Sequence, residues 1–507
     1  MITQTENMTL LPINYHNIFE FLNKKFGSCY ANEDYYRKID LWSRLYKGYV
    51  KEYHEVVVSN GVSNFTRTMS TLNMASQVAS DWLRCIVADK PVIEIEGKNK
   101  NTSRFVQGAK GNGGVLSSNN FYRQFTNCIE KAFALGSSAL VLGVEKTVNE
   151  LEGYKIDLNS YFANAIIPIR YTNGIITEVA FLSEFYKEGK KHYNLSCHVK
   201  DDSNKYVIYN FETDNSFKFE SYLGRNQEPY ITGSEKPFFF IISPIMSNNI
   251  DYNSPLGVSV YANAVDIVLN CDTLYDSFKM DVVTAQRIIL MHKSLLGRDA
   301  NGNTIAPQDA KKYYMSFTGD ERVISDNGMP QLISDFTPKL NSPELVEAIQ
   351  QNLNLLSMRC GLGNQYYHFD KVSGVTATEV LSSNMDLIRS VKINLENVTD
   401  ILAAMIKQII WIGKNILGYK DLQEDTKVNI TIPDGVIVDD NAQKEQDRAE
   451  VAAGLMSKAE YRSKWYGETL EDAQKKIDEI EGKTSDDIED TNSNTDNKVL
   501  PDSKSDS

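Results

Sequence analysis

The chain has 507 residues, 42% of them hydrophobic and 24% charged, with a formal net charge of −14. That length exceeds what one compact core organises, so two to four domains are expected. The acidic balance excludes a protein that grips nucleic acid through a basic surface, but it suits a wall past which a polyanion slides.

The opening stretch MITQTENMTLLPINYHNIFEF has no basic region followed by an apolar core, so no signal peptide is expected. Residues 10–55 read as helical, with Ile18, Phe21 and Leu22 on one face and Trp42 and Leu45 on another. STLNMASQVASDWLRCIVA at 70–88 is amphipathic at helical spacing through Leu72, Ala75, Val78, Ala79, Trp82 and Ile86. The strand PVIEIEG follows. Residues 98–120, rich in Gly, Asn, Ser and Lys, read as a loop, and a helix over 121–135 ends at Gly136. From 137 to 242 the pattern turns to short β-rich runs, among them SSALVLGVE, IITEVAFLSEF and KYVIYNFE. They predict a mostly antiparallel sheet and an α+β fold class.

Ser254-Pro255 reads as an N-cap with proline at the first helical position, opening a helix to about 285. That helix carries two apolar stripes: Val260, Ala264, Ile267, Cys271, Leu274 and Phe278 on one, Tyr261, Val265, Val268, Tyr275 and Val282 on the other. Such breadth implies contact on two sides. Residues 286–338 read as a compact β-rich insertion with strands RIILMHK and ERVISD and an Asn301-Gly302 hairpin signal. Ser342-Pro343 opens a second helix to about Cys360, antiparallel to the first. After a loop at 361–375, Thr376 and Glu379 form a capping-box pattern. Apolar residues then recur every three or four positions from Leu381 to Ile416, a rod of roughly 60 Å. KVNITIPDG at 427–435 is a returning strand. Residues 439–483 read as charged helices, with starts at Ser457/Glu460 and Thr469/Asp472. After 484 the sequence lacks the apolar content to fold and is expected to be disordered.

Recognisable catalytic chemistry is missing. No G-x-x-x-x-G-K-[ST] loop occurs. Gly361-Leu362-Gly363 lacks the third glycine of a dinucleotide fingerprint, and Gly257-Val258-Ser259 meets Tyr261 where a nucleophile elbow needs glycine. His54-Glu55 has no second histidine. His192, Cys197 and His198 are better explained as alternating strand positions than as a metal site. Asp299, Asn301 and Asn303 open like a calcium loop but lack its closing glutamate. The cysteines Cys29, Cys85, Cys128, Cys197, Cys271 and Cys360 form no C-x-x-C pair and read as free thiols of a reducing compartment. The most apolar runs, FFFIISPIM near 240 and the 398–412 helix, are broken by Pro244 or by Asp400 and Lys407, so no membrane span is expected. The expectation is a soluble cytoplasmic protein with no catalytic residues, no metal and no cofactor.

Four segments resemble one family in the right order. NMASQVASDWLRCIVADKPVIEIEG at 73–97 is similar to the early helix–strand unit of the portal proteins of tailed bacteriophages, of the siphophage type. NNIDYNSPLGVSVYANAVDIVLNCDTLYDSF at 248–278 resembles the entry to their first stem helix. GVTATEVLSSNMDLIRSV at 374–391 resembles the end of their tunnel loop and the start of their crossing helix, and GLMSKAEYRSKWYG at 454–467 a turn of their crown. The resemblance spans roughly 60–483. It implies a portal-like fold: wing 1–253, stem helix 254–285, clip 286–338, second stem helix 339–360, tunnel loop 361–375, crossing helix and wing return strand 376–438, crown 439–483, and an acidic tail 484–507. It further implies a ring of about twelve subunits at the unique capsid vertex, assembled in the bacterial host cytoplasm, through which double-stranded DNA is packaged and ejected. The implied partners are other copies of the chain, the terminase large subunit, head-completion or adaptor proteins, and the major capsid and scaffolding proteins. Asn364, Gln365, Lys371 and Ser373 would then belong to the tunnel loop, and Arg298, Asp299, Asn301 and Asn303 to the clip that docks the motor. ATP hydrolysis would belong to the separate terminase.

Two other readings remain open on the residues alone. One is an enzyme with no recognised motif. The other is a cytoplasmic scaffold that binds partners through its long helix as a coiled coil, although Lys392 and Asn394 interrupt that pattern.

Overall fold

Asparagine starts the first two helices. The Asn14 side chain accepts from the Asn17 N–H at 3.2 Å and opens α1 (Tyr15–Phe26), which Gly27 closes at φ 75°. Asn32 does the same for the Tyr35 N–H at 3.1 Å and opens α2 (Glu33–Tyr46). The helical reading of 10–55 is thus interrupted at 27–32, where the chain leaves α1 to bond Ile169 and Pro168 carbonyls on a neighbouring strand. The computed structural model describes residues 13–59, 64–96, 100–109, 112–146, 154–219, 228–285, 288–292, 297–298, 300, 304–305, 313–317, 333–336, 339–363, 366–367, 385–432, 440–466, 468 and 470–489. It is 48% helical and 24% strand, a mixed α+β chain, and it divides into two compact units.

The larger unit comprises Met1–Val375 with Ser382–Gly435. It holds two helices packed on each other and two antiparallel sheets, and the second helix packs on the three-stranded sheet. The predicted amphipathic helix is α3 (Met74–Ile86), which buries Ala75, Val78, Ala79, Trp82 and Ile86. The expected loop at 98–120 is corrected by α4 (Lys100–Gln107), which seats Val106 in the core and packs Phe105 on Tyr419, two apolar anchors inside a composition that reads as loop. Beyond a single helical turn at Val115–Ser118, α5 (Phe121–Leu135) ends at Gly136 as expected. Trp82 of α3 stacks on Phe133 of α5 with centroids 5.1 Å apart. A five-stranded sheet runs in the order 230–231, 206–214, 190–200, 175–187, 166–172, and a three-stranded sheet in the order 239–242, 138–146, 154–162. Every pairing in both is antiparallel.

The glycines Gly136 and Gly257 let two segments cross at backbone contact. A Cβ at Gly136 would stand 2.2 Å from the Gly257 carbonyl oxygen, and one at Gly257 would stand 2.4 Å from that of Gly136. This crossing delivers the chain to α6 (Val265–Thr284). The Ser254-Pro255 start expected for this helix is corrected. Residues 254–261 form turns, a single 3-10 turn covers Ala262–Ala264, and the helix opens only at Val265. Ser254 instead caps locally, its Oγ accepting from the Leu256 N–H at 3.2 Å. The second helix, α7 (Ser342–Arg359), does begin at the Ser-Pro step.

Between them, Ile288–His292 pairs in parallel with Tyr313–Phe317 and antiparallel with Ile333–Phe336. Gly297–Arg298 pairs antiparallel with Thr304–Ile305 around the Asn-Gly signal. The expected strand at 321–326 lies outside the described residues. The long helix is described over α8 (Met385–Asn415), 31 residues or roughly 45 Å; its expected start at Thr376 lies outside the described residues. It buries Val391, Val398, Leu402, Met405, Ile409 and Ile412 against its own unit. Asn394, which breaks the coiled-coil pattern, is buried and accepts from the Ile245 N–H at 2.8 Å. The returning strand Lys427–Thr431 pairs with Val92–Glu96.

The smaller unit comprises Thr376–Leu381 with Val436–Ser507. It holds α9 (Asp440–Ala452), α10 (Lys458–Tyr466) and α11 (Leu470–Glu489). The predicted capping box is present: Ser457 Oγ accepts from the Glu460 N–H at 3.1 Å, and Glu460 accepts from the Ser457 N–H at 2.8 Å. Helix α11 continues to Glu489, past the expected end of order at 484.

Candidate functional site

The element that organises most of the chemistry is the antiparallel pair α6–α7. Asn352 of α7 is its hub. Its Nδ2 donates to the Ile267 carbonyl and to Cys271 Sγ, both at 3.0 Å, and its Oδ1 accepts from Asn270 Nδ2 at 2.9 Å. At the far end the Asn341 N–H donates to Asp281 Oδ2 at 2.9 Å. These bonds fix register as well as contact, because each amide has one set of partners at one axial height.

Two buried aspartates one turn apart tie α6 to the body. Asp276 accepts from both terminal nitrogens of Arg67, at 2.9 and 2.6 Å, and from the Ser70 N–H at 2.9 Å. The Arg67 bonds hold its carboxyl below the usual carboxylate range. Asp272 accepts from the Leu72 N–H at 2.6 Å and lies 3.1 Å from His54 Nε2. His54 Nδ1 lies 2.8 Å from the Val50 N–H and 3.0 Å from the Val50 carbonyl, which fixes the ring with its Nε2 against Asp272. The His54-Glu55 pair therefore has a structural use unrelated to metal.

The end of α7 is locked just as closely. Trp82 Nε1 donates to the Cys360 carbonyl at 2.9 Å, and Gly361 turns at φ 75° beneath the Trp82 ring. The Tyr367 hydroxyl donates to Asp81 Oδ2 at 2.8 Å, while the Tyr367 carbonyl accepts from Gln350 Nε2 at 2.6 Å. Burial, then the adjacent Asp81 charge, pushes the Tyr367 phenol up, so it remains a donor. Burial also pushes the Cys360 thiol up to about 12, which leaves it inert.

Both stripes of α6 are covered over its first turns and open towards its C-terminal end. Ala264, Val268 and Cys271 are buried, whereas Tyr275 is half-exposed and Val282 is 48% exposed. On α7 the face turned from α6 is open to solvent and carries Glu344, Glu347, Gln351, Leu355, Met358 and Arg359. Of the eight residues singled out from sequence, Asn364, Gln365, Lys371, Ser373, Asp299, Asn301 and Asn303 lie outside the described residues. Arg298 is placed only by its backbone pairing with Thr304. Sequence reading missed Asp272, Asp276, Arg67, Asp81 and Asn352. Their one visible signal was a polar residue repeating at helical spacing inside an apolar pattern, as Asp272 and Asp276 do.

Among the described residues no group of three or more His, Cys, Asp or Glu could hold a metal ion. His192 and His198 are not brought together: His198 sits edge-on to Phe181 and Phe239, and burial pushes its pKa down to about 3. No helix among the described residues is long and apolar enough to cross a membrane. A cleft of about 900 Å³ runs beside α8 between Ile175, Phe240, Ile245 and Ile401, with Lys236 and Lys407 at its polar positions.

No curated protein matches the chain. A family model described as "Phage portal protein, SPP1 Gp6-like" matches residues 28–490. That span includes both sheets, the α6–α7 pair and the long helix, and the chain belongs to the phage portal protein family.

Proposed function

We propose that the chain acts as a closed ring of about twelve copies around a channel for double-stranded DNA at the capsid vertex. Family membership supports the portal role. One structural observation supports the ring: after α6 has packed on α7 and on the body, its flank leaves Val282 48% exposed and Tyr275 only partly covered. In a ring an identical neighbour supplies the cover. The body 1–253 with 376–438 is the wing, α6 and α7 the stem, 286–338 the clip and 439–483 the crown. The open face of α7 then lines the channel, where Glu344 and Glu347 repel phosphates and keep the duplex centred rather than held. ATP hydrolysis stays with the terminase, which docks at the clip around Arg298, Asp299, Asn301 and Asn303 before head-completion proteins replace it.

Asn364, Gln365, Lys371 and Ser373 belong to the loop that follows α7, and the Trp82 and Tyr367 bonds fix the base of that loop. Replacing Lys371 with Glu leaves ring assembly intact and alters DNA packaging or retention. Collapse of assembly in that variant would show the loop to be structural instead.

A further inference from the structure

Glu55–Ser59 pairs antiparallel with Asn64–Thr68 as a two-stranded ribbon, with no third strand among the described residues. Such a ribbon is marginal in water unless something covers it. The register puts Val57 opposite Thr66 on one face and Val58 opposite Phe65 on the other. Arg67 shares the second face and reaches Asp276, so that face turns towards α6. Val57 points the other way and is 67% exposed; Phe65 is 50% exposed. Three successive valines and a phenylalanine are a poor choice for a ribbon that only solvates.

Its position around α6 says what covers it. At about 100° per residue, Asp272, Asp276 and Lys279 share one side of α6, and all three bond the segment that leads out of the ribbon. The α7 contacts Ile267, Asn270 and Asp281 lie on the opposite side. The foot of the ribbon leans to one flank between these sides, where the Tyr53 hydroxyl bonds the Leu269 carbonyl and Thr273 Oγ1. Tyr275 and Val282 occupy the other flank. A ring contact is heterologous, so each copy needs two different patches on opposite flanks. The ribbon side, which contacts α6 between Leu269 and Lys279, and Tyr275–Val282 meet that requirement over overlapping stretches of one helix.

Resting on the ring reading above, we infer that the paired strands Glu55–Ser59 and Asn64–Thr68 of each copy lie across the Tyr275–Val282 flank of the next. The ribbon is then a clasp between protomers, and Arg67–Asp276 sets its angle.

The test co-expresses two differently tagged full-length chains in a Cys29→Ser background, one carrying Val57→Cys and the other Val282→Cys. Mild oxidation should yield a disulfide heterodimer carrying both tags inside a ring of unchanged mass. Separately, Val57→Asp with Phe65→Asp should lower the ring fraction about tenfold, with far-UV circular dichroism unchanged, while Val57→Ile assembles normally. Normal ring formation by the double-Asp chain, together with no heterodimer from the cysteine pair, overturns the clasp and leaves the ring standing. Cross-linking of Val57→Cys to a capsid protein in whole particles also overturns it. A parent protein that is always a single chain overturns both readings.

Discussion

Asp276→Asn isolates the bond that holds the ribbon to α6. Asparagine keeps the shape and still offers one oxygen to the Ser70 N–H and Arg67 Nη1, but its amide nitrogen cannot accept from Arg67 Nη2, so one Arg67 bond is lost and the other is no longer charge-to-charge. Charge-assisted bonds contribute about 1.5–3 kcal/mol and neutral ones about 1 kcal/mol. Arg67 is 30% exposed at its side chain and recovers part of its hydration when released. The expected loss is therefore about 1–3 kcal/mol of local stability at neutral pH, felt in the ribbon rather than across the whole unit. Amide hydrogen exchange read by mass spectrometry over 64–73 should quicken about five- to hundredfold. The pH dependence gives a second handle. Because the folded Asp276 carboxyl is held below its ordinary range, its contribution is complete above about pH 4–5. It fades as pH falls through the depressed value. The gap between parent and variant should thus stay constant near neutrality and close on acidification. Unchanged exchange at neutral pH, or a gap that widens in acid, would refute the reasoning.

Gly136→Ala and Gly257→Ala should each cost about 2–4 kcal/mol, because a Cβ at either position drives into the other's carbonyl and Gly136 also needs its φ of 91°. The double variant should cost less than the sum in urea unfolding, since one crossing is lost only once; additive costs would count against that contact. Acid should destabilise the protein through His198, whose folded pKa of about 3 lies below the ordinary 6.5. The unfolded chain then takes up a proton that the folded chain declines. Stability falls with pH between about 6.5 and 3 by up to roughly 1.4 kcal/mol per unit. His198→Phe should flatten that part of the parent's profile, and an identical profile in both proteins would show that the ring titrates freely. Asn352→Ala should loosen α6 from α7 by about 1–3 kcal/mol, visible as faster exchange in 265–271 with the sheets unaffected. Equal quickening everywhere would deny it the role of hub.

Much of the fold was legible wherever one period dominated. Helix α5 was bounded at both ends because Gly136 supplies an αL stop that few residues replace. The six long strands were found because β-branched and aromatic alternation lies between Asn-Gly and Asp-rich turns. The start of α6 was misplaced because Ser254-Pro255 carries a strong local capping signal. The tertiary crossing at Gly257 and the bond from Val260 N–H to the Phe133 carbonyl hold that stretch in turns instead. Helix α4 escaped notice because Gly, Asn and Ser surround it and only two apolar residues, Phe105 and Val106, anchor it. The Asp272–Asp276 tether was invisible for a different reason. Its partners Arg67, Ser70 and Leu72 lie some 200 residues away in the chain, and no local pattern encodes such a distance. The capping box at Ser457 and Glu460, by contrast, is written within four residues and was found.

The mass of the purified protein, measured by multi-angle light scattering and checked by negative-stain imaging, bears most directly on whether the open flank of α6 meets an identical neighbour. A ring of about twelve chains with a central hole is the predicted result. A single chain in solution, with Tyr275 and Val282 facing water, would contradict it.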